Sequence, residues 1–265
     1  MKKRLYKILI DNKLCSKRNA KTFIKNNEIC INEQRIKNPD ELVDIQVNND
    51  KNNSKFEKKS AMFINGTEFI PKKYTYIIMN KPVQTVCKTV SDKNKTVYSL
   101  FAQNKLSFSI EDLHTVGRLD LDTEGLLLLT NNGDFSHKLT DPKSECPKTY
   151  FVELKNNCNK IEQERIKNVF SKPFVLPAEK KVLSSLCKGG ILLWHTERTC
   201  SLIITEGQFH QVKRMFKAVQ NEVIFLKRTK INNLELPQNL ATGEWKLLSE
   251  NEIELLYKHN SLIDS

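Results

Sequence analysis

The chain has 265 residues, of which 39% are hydrophobic, enough for one core with a small module or for two modest domains. No apolar run approaches the ~18 residues that a membrane span requires, so an integral membrane protein is not expected. The 43 Lys and Arg against 31 Asp and Glu give a formal net charge of +12, which favours a polyanionic partner, although a general lysine bias produces the same excess.

The cysteines and the N-terminus bear on the cell compartment. The 7 cysteines are scattered, with no Cys-x-x-Cys pair, which argues against a disulfide framework and against a zinc site. The charged start MKKRLYKILIDNK is similar to a signal peptide only as far as Asp11, where its apolar part ends. We therefore expect a cytoplasmic protein with reduced thiols and no metal.

Residues 1–50 have the pattern of a compact basic module. Apolar spacing predicts a short helix near residues 5–9, and Ser16 is a good N-cap for a second helix. The stretch EICINEQRI alternates around an Asn-Glu turn and predicts a hairpin. A module of two helices and a hairpin with one basic face is typical of RNA binding, although a solvated helical face has the same pattern. The basic side chains of this face are Lys17, Arg18, Lys21, Lys25, Arg35 and Lys37.

A linker and a second domain are predicted after this module. Residues 51–73 are interpreted as a linker, because the stretch NDKNNSKFEKKS at 49–60 has almost no apolar side chains. From residue 74 to 265, short strands and helices alternate irregularly. The predicted strands are YTYIIMNKP, stopped by Pro82, and then EGLLLLT, KTYFVEL, CSLIITEG and GEWKLL.

Helices are predicted between and after these strands. An Asn-Asn-Gly turn leads from EGLLLLT into a helix that Asp134 is expected to cap, and FHQVKRMFKAVQ has the spacing of an amphipathic helix. Ser249 and Glu252 form a capping box for the last helix. The sequence shows no repeat, no Gly-x-Gly-x-x-Gly and no phosphate-binding loop. We therefore predict an α+β fold with a mixed, mainly antiparallel sheet, and not a nucleotide-cofactor domain.

Two aspartates stand directly before the most apolar stretch, in GRLDLDTEGLLLLT (Gly117–Thr130). At i and i+2 on a strand, Asp120 and Asp122 would share a face and suit Mg²⁺ with a phosphate, but no third acidic ligand recurs nearby. A glycosidase pair of Asp120 with Glu206 leaves the basic module unexplained. A third interpretation makes one aspartate the reactive group, with Tyr150 and Lys213 as companions. The residues alone leave these alternatives open.

Five stretches of the second domain occur in the order of one enzyme family. They are NKP at 80–82, GRLDLDTEGLLLLTNNGD, KTYFVEL, EGQFHQVKRMF and GEWKLL at 243–248. This region, from about residue 74 to 256, resembles the RsuA family of RNA pseudouridine synthases, and HQVKRM resembles the RsuA branch itself. The stretch CSKRNAKTFIKNNEICINEQRI resembles the S-four-like RNA-binding module that precedes the catalytic domain in that family.

The resemblance implies roles for individual residues. Asp120 matches the catalytic aspartate, whereas Asp122 matches a position that is commonly acidic but not catalytic. Arg118 matches a residue that supports the flipped-out geometry of the RNA. Tyr150 matches the tyrosine that packs on the target base, and Lys213 matches the basic partner of the aspartate.

The chemistry agrees with the resemblance. Conversion of uridine to pseudouridine breaks the C1′–N1 bond, rotates the uracil and rejoins it through C5, so no oxidant, energy source or cofactor is expected. A carboxylate in a dry pocket needs a cation such as Lys213 to stay ionised. The target base must leave its stack to be reached, which calls for an aromatic side chain and an arginine.

We therefore expect a monomeric RNA pseudouridine synthase that acts on a uridine of small-subunit ribosomal RNA, with or without bound ribosomal proteins, and not on a membrane. The same chemistry on a large-subunit uridine is the alternative within this enzyme class. A non-catalytic RNA-binding or ribosome-assembly protein is the alternative outside it, and the intact set of Asp120, Tyr150 and Lys213 disfavours that alternative.

Overall fold

The computed structural model describes residues 2–12, 14–31, 33–44, 61–69, 74–101, 109–179 and 182–257. These residues fall into two compact units, Met1–Tyr74 and Thr75–Ser265. The first unit contains, in chain order, β1 (Lys2–Arg4), α1 (Leu5–Asp11), α2 (Ala20–Asn26), β2 (Ile29–Ile31), β3 (Gln34–Arg35), β4 (Leu42–Asp44), β5 (Met62–Ile64) and β6 (Thr67–Phe69).

The first unit has the two helices and the hairpin that the sequence predicts. Leu5 and Leu9 on α1 pack with Ile24 on α2 in one small core, because apolar side chains three to four residues apart share a helical face. A single 3₁₀ turn, Lys17–Asn19, precedes α2, and the Ser16 hydroxyl accepts a hydrogen bond from the backbone N–H of Asn19. Strands β2 and β3 form the predicted hairpin.

Part of the interval interpreted as a linker is a hairpin of this first unit. Strand β5 pairs antiparallel with β2 and β6 pairs with β5, so the sheet has the order β3-β2-β5-β6. Met62, which is fully buried, lies opposite Ile31. Strands of three residues carry little periodicity, and the partner of β5 lies some thirty residues earlier in the sequence. The stretch 49–60, on which the linker prediction rests, lies outside the described residues.

The second unit is built on one large sheet. Its elements are β7 (Tyr76–Lys81), β8 (Thr85–Val86), β9 (Lys95–Thr96), β10 (His114–Val116), β11 (Glu124–Thr130), α3 (Gly133–Thr140), β12 (Lys148–Leu154), α4 (Lys160–Phe170), β13 (Phe174–Leu176), β14 (Ser185–Cys187), β15 (Ile191–Trp194), β16 (Thr199–Ile204), α5 (Gln211–Ala218), β17 (Val223–Ile231), β18 (Leu234–Glu235), β19 (Trp245–Leu247) and α6 (Glu250–Tyr257). The sheet order is β15-β16-β12-β17-β11-β7-β19, with β10 on β11 and β18 on β17.

The pairing in this sheet is antiparallel except between β11 and β17, which are parallel. This confirms the predicted α+β class with a mainly antiparallel mixed sheet. Strand β19, near the end of the described chain, pairs with β7, near the start of the unit. Backbone hydrogen bonds from Asn80 to Glu244 and from Gly243 to Asn80 extend this pairing.

The four consecutive leucines of β11 are explained by cover on both faces of the sheet. Leu127 and Leu129 belong to the core that includes residues of α4 and α5, whereas Leu126 and Leu128 belong to the core that includes residues of α3 and α6. A strand buried on both sides is apolar at every position instead of alternating. The run of leucines therefore marks the centre of the domain.

The helix caps differ in one place from the prediction. Helix α3 is capped by Asn132, whose side-chain oxygen accepts from the backbone N–H of Phe135, and Asp134 lies one turn position inside the helix. The prediction that Asp134 caps this helix is therefore wrong, because the extended backbone at Asn132 makes that residue the N-cap and Gly133 the first residue of the helix. The capping box of Ser249 and Glu252 is confirmed by its two reciprocal hydrogen bonds.

All 7 cysteines have free thiols, as the sequence predicts. Burial raises the pKa of Cys200, which is fully buried on β16, to about 12. Within the described part of the chain, no helix has the length and apolar character needed to cross a membrane.

Candidate active site

The loop between β10 and β11 carries both aspartates and is held by its backbone. The Nζ of Lys81, at the end of β7, donates to the carbonyl oxygens of Asp120 (3.0 Å), Thr123 (2.8 Å) and Pro82 (3.0 Å). Lys81 is fully buried, and this burial lowers its pKa, while the nearby carboxylates of Asp120 and Asp122 oppose that shift. A buried ammonium with three carbonyl partners fixes the loop independently of the side chains that the loop presents.

Two further contacts join the same loop to the segment that follows β7. The backbone N–H of Gln84 donates to the carbonyl of Leu121 at 2.8 Å. The backbone N–H of Leu119 donates to the Cys87 sulfur at 3.5 Å, and the thiol lies 3.6 Å from the carbonyl of Leu119. The carboxylate of Asp120 is therefore presented from a loop that is tied down on both of its sides.

The carboxylate of Asp120 faces two basic side chains of the segment around the start of α5. The Nζ of Lys213 lies 3.6 Å from one oxygen, and Nε2 of His210 lies 3.6 Å from the other. Lys213 also contacts Asp122, at 2.5 Å. The ammonium of Lys213 thus stands between the two carboxylates.

The two aspartates differ in exposure. The side chain of Asp122 is 66% exposed and that of Asp120 is 31% exposed, so Asp120 is the more sheltered group. Burial alone would raise the pKa of Asp122, but the hydrogen bond and charge of Lys213 outweigh it, and the net shift is downward. Asp122 thereby acts as a second anionic contact that holds the end of Lys213.

His210 is fixed from its other side by Glu179. Its Nδ1 lies 2.9 Å from a carboxylate oxygen of Glu179, so the imidazole bridges Glu179 and Asp120. The backbone of His210 is left-handed, with φ +48°, an unusual conformation for a residue with a side chain. This left-handed residue lies where the loop after β16 leads into α5.

The segment that carries Glu179 is anchored by a buried arginine. Arg214, on α5, is 1% exposed and donates to the carbonyls of Pro177 and Leu183, and to the hydroxyl of Ser185. It also donates to the carbonyl of Phe209 at 3.3 Å. One guanidinium therefore ties both flanks of His210 to the helix that supplies Lys213.

Tyr150 and Arg118 line the same pocket as Asp120. Tyr150 projects from β12 and is 8% exposed, beside Leu226 and Ile204, whereas Arg118 lies on the loop and is exposed. The pocket combines a carboxylate, a phenol ring and a guanidinium with apolar side chains. Such a lining suits a ligand with a planar ring and polar edges that contacts the carboxylate.

Comparisons with known proteins agree on what this arrangement is. The RNA pseudouridylate synthase family profile matches residues 75–218, which is more than half of the chain. The chain belongs to that family. The resemblance drawn from the sequence motifs is confirmed.

Curated relatives and a solved structure extend this pseudouridine synthase assignment. A protein of Vibrio cholerae named ribosomal small subunit pseudouridine synthase A is 36% identical over 208 residues, which cover 77% of this chain and 83% of the relative. The Bacillus subtilis RNA pseudouridine synthase YtzG, described as uncharacterized, is 32% identical over 96% of this chain and 98% of its own length. A crystal structure titled as a pseudouridylate synthase is similar over 96% of this chain and 99% of its own, with 30% identity and a TM-score of 0.61. The chain is an RNA pseudouridine synthase, and hence an isomerase.

The structure brings together every pocket residue that the sequence analysis named in this synthase domain. Asp120, Tyr150 and Arg118 line one pocket, and Lys213 contacts Asp120. Glu206, the second carboxylate of the glycosidase interpretation, instead accepts from Gln211 and from the backbone N–H of Lys188. The described residues that line the pocket of Asp120 do not include Glu206.

The basic residues named in the first unit form a groove of their own. Lys21 and Lys25 on α2 line it together with Arg35 and Lys37, and its volume is about 430 Å³. Lys17 and Arg18, on the 3₁₀ turn before α2, are exposed but do not line this groove. Some of the basic residues predicted to form a stripe along one helix therefore line a cleft between α2 and the segment from β3 to residue 39.

Three residues of the site had no role in the sequence analysis. Lys81 carried a signal, because a lysine at the end of a mostly apolar, buried strand requires several hydrogen-bond partners. His210 was visible at the start of α5, but its orientation depends on a left-handed backbone. Glu179 carried no signal, because it reaches His210 from a separate segment 31 residues away.

Proposed function

We propose that this synthase isomerises a uridine of small-subunit ribosomal RNA, with Asp120 as the reactive group. One observation carries the choice of target. The relatives named ribosomal small subunit pseudouridine synthase A are 36% identical over 83% of the Vibrio cholerae protein and 39% identical over 72% of the Escherichia coli protein.

The geometry around Asp120 supports its role. Breaking the C1′–N1 bond needs a group that either attacks the sugar or removes a proton from it, and Asp120 presents the more sheltered carboxylate of the pair in a pocket with Tyr150. Lys213 and His210 hold the two oxygens of this carboxylate from separate sides. Such preorganised charges favour a fixed orientation of the reacting carboxylate.

The reaction proposed here needs only the groups of the protein and the RNA. The uracil leaves C1′, turns in the pocket and rejoins through C5, whose proton then goes to solvent, while N1 takes up a proton. We propose that Tyr150 packs on the target base and that Arg118 occupies part of the space that this base leaves in the RNA. Residues 1–50 are proposed to bind the RNA backbone through Lys17, Arg18, Lys21, Lys25 and Arg35.

The position of Lys213 also bears on the metal interpretation. Its ammonium lies 3.6 Å from a carboxylate oxygen of Asp120 and 2.5 Å from one of Asp122, which is the place that a divalent ion bridging both aspartates would take. A cation bound there would have to displace Lys213 against charge repulsion. We therefore propose that these two carboxylates hold a lysine and not Mg²⁺.

Two experiments test the proposed function. Pseudouridine is mapped in the ribosomal RNA of cells with and without this gene, and one position in the small-subunit RNA is expected to disappear. Loss of a large-subunit position would overturn the target, and unchanged maps with altered ribosome assembly would favour a non-catalytic role.

Asp120→Asn and Asp122→Asn are then compared by tritium release from [5-³H]uridine RNA. Asp120→Asn should be inactive with near-normal RNA binding, whereas Asp122→Asn should lose only a modest factor. The reverse order would refute the assignment.

A further inference from the structure

Phe209 stands out among the aromatic side chains of the structure. Of the phenylalanines in the described residues it is the one that is exposed, with 40% of its surface open, and it immediately precedes His210. Large aromatic side chains normally contribute to a core, because burial of their area is strongly favourable. We therefore ask what an exposed phenylalanine beside the pocket of Asp120 contacts when the protein binds RNA.

Phe209 is held in a fixed orientation despite its exposure. Its ring is stacked on the imidazole of His210, with centroids 3.8 Å apart and an angle of 15° between the planes. His210 is itself held by Glu179, and the carbonyl of Phe209 accepts from the buried Arg214. The two rings thus form a small rigid stack, and one face of Phe209 is covered by His210.

The backbone of this stack is in an unfavourable conformation. His210 has a φ of +48° and precedes the first residue of α5, so the left-handed turn lays its ring against the preceding side chain. Residues with a Cβ adopt this conformation at a cost, and they keep it where the surroundings enforce it. The imidazole is held here by Glu179, 2.9 Å from Nδ1, and its Nε2 lies 3.6 Å from Asp120.

The surroundings of the stack suit a nucleobase better than an apolar protein surface. The pocket beside the stack contains the polar or charged side chains of Gln208, His210, Arg118 and Asp120 together with apolar ones. Exposed aromatic rings in such a setting bind bases by stacking, which tolerates any base because each has a flat π face. The chain has a net charge of +12, which attracts the RNA backbone.

We propose that the Phe209–His210 stack is a platform for a nucleobase next to the target uridine, a binding site distinct from the pocket where Asp120 acts. His210 lines that pocket and Phe209 lies one ring layer farther out. A neighbouring base on the open surface of Phe209 would continue the stack. The rings of Phe209 and His210 would then lie between the target uridine and the neighbouring base. This inference rests on the activity of the RNA pseudouridine synthase family and not on which ribosomal subunit is the target.

The test compares the variants Phe209→Ala, Phe209→Leu and Phe209→Trp with the wild-type protein. Leu193→Ala is the control, because Leu193 is 50% exposed on the edge strand β15, four strands from β11. The RNA is the shortest transcript that the wild-type protein modifies, as judged by tritium release. Because this transcript is chosen by activity, a large-subunit target would refute the proposed target and leave this test intact.

Loss of one stacked base weakens binding by about 5- to 150-fold. We expect Phe209→Ala to raise Kd and KM in that range while kcat at saturating RNA changes by less than about twofold. Phe209→Leu should resemble the alanine variant, because it keeps apolar area but has no ring, whereas Phe209→Trp should bind at least as well as wild type. Leu193→Ala should match wild type in every measurement.

A fluorescent base locates the contact directly. With 2-aminopurine placed singly at positions flanking the target uridine, one position should be quenched on binding to wild type and to Phe209→Trp, but not to Phe209→Ala. An abasic nucleotide at that position should weaken wild-type binding by the same factor as Phe209→Ala and add no further loss to that variant. Wild-type affinity of Phe209→Ala or of Phe209→Leu, or quenching that survives in Phe209→Ala, would overturn the proposal.

Discussion

Replacement of Lys81 by methionine tests how the loop that carries Asp120 is held. Methionine fills nearly the same space as the lysine chain but has no donor for the three carbonyls of Pro82, Asp120 and Thr123, which lie 2.8–3.0 Å from the Lys81 ammonium. Lys81 is fully buried, so water does not simply replace the lost donor. The substitution should therefore weaken both folding and the geometry of the loop.

The size of the effect follows from opposing contributions. Leaving a buried carbonyl unpaired costs about 1–3 kcal/mol. The carbonyls of Pro82 and Asp120 keep the Thr85 hydroxyl and the backbone N–H of Thr123 as donors, so the main loss is at the carbonyl of Thr123. Keeping an ammonium out of water costs several kcal/mol, and the methionine variant is spared that cost. We expect Lys81→Met to lower the free energy of unfolding by about 1–2 kcal/mol. It should also lower kcat more than it raises KM, because the carboxylate of Asp120 loses its fixed position.

Urea unfolding and single-turnover tritium release measure these two effects. Lys227→Met is the matched control, since Lys227 lies on β17, the strand next to β11. Its partly exposed side chain pairs with Glu124 at 3.3 Å, a contact worth about 0–1 kcal/mol. If Lys81→Met were as stable as the control and retained wild-type kcat, the carbonyl contacts of Lys81 would not hold the loop, and the reasoning would be refuted.

Three further predictions concern the core, the pH dependence and the first unit. Gly125→Ala should lower stability by more than about 2 kcal/mol in urea unfolding, because a Cβ there would lie 2.3 Å from the carbonyl oxygen of Arg228, whereas Gly133→Ala, with no atom within 4 Å, should not. The free energy of unfolding should fall by about 1.4 kcal/mol between pH 8 and pH 10 on account of Cys200, because its thiol ionises near pH 9 when unfolded but at a pKa of about 12 when folded; a Cys200→Ala variant should show a smaller fall. Arg18→Ala combined with Lys21→Ala should weaken RNA binding and reduce the slope of log Kd against log salt by about 1–2, and an unchanged slope would mean that this face is only solvated.

The sequence predicted those parts of the fold in which pattern and burial coincide. The leucines of β11 and the apolar face of α5 were found because their surroundings are uniform along the element. Strands β5 and β6 were missed, since short strands are defined by the partner with which they pair and not by their own residues. The cap at Asn132 differs from the predicted one because Asn132 and Asp134, two residues apart, are both suitable N-caps, and the backbone angles decide between them.

What the sequence indicated about the site has a similar limit. Asp120, Tyr150 and Lys213 stand in motifs, and the structure places them around one pocket. No motif indicated that Lys213 also contacts Asp122 or that Glu179 reaches His210. These contacts depend on where loops from distant parts of the chain meet, which no local pattern specifies.

The pairing of β7 with β19 has a consequence for the order of folding. Met79 lies opposite Trp245, so one edge of β7 has its partner only after some 166 further residues have been made. At the usual speed of synthesis this takes about 10–30 s, during which the strand that ends in Lys81 presents an unpaired apolar edge. Such remote pairing slows folding. A fragment that stops at residue 218 would contain every residue of the pocket except Leu226, and it would lack three strands of the sheet that hold the pocket in place.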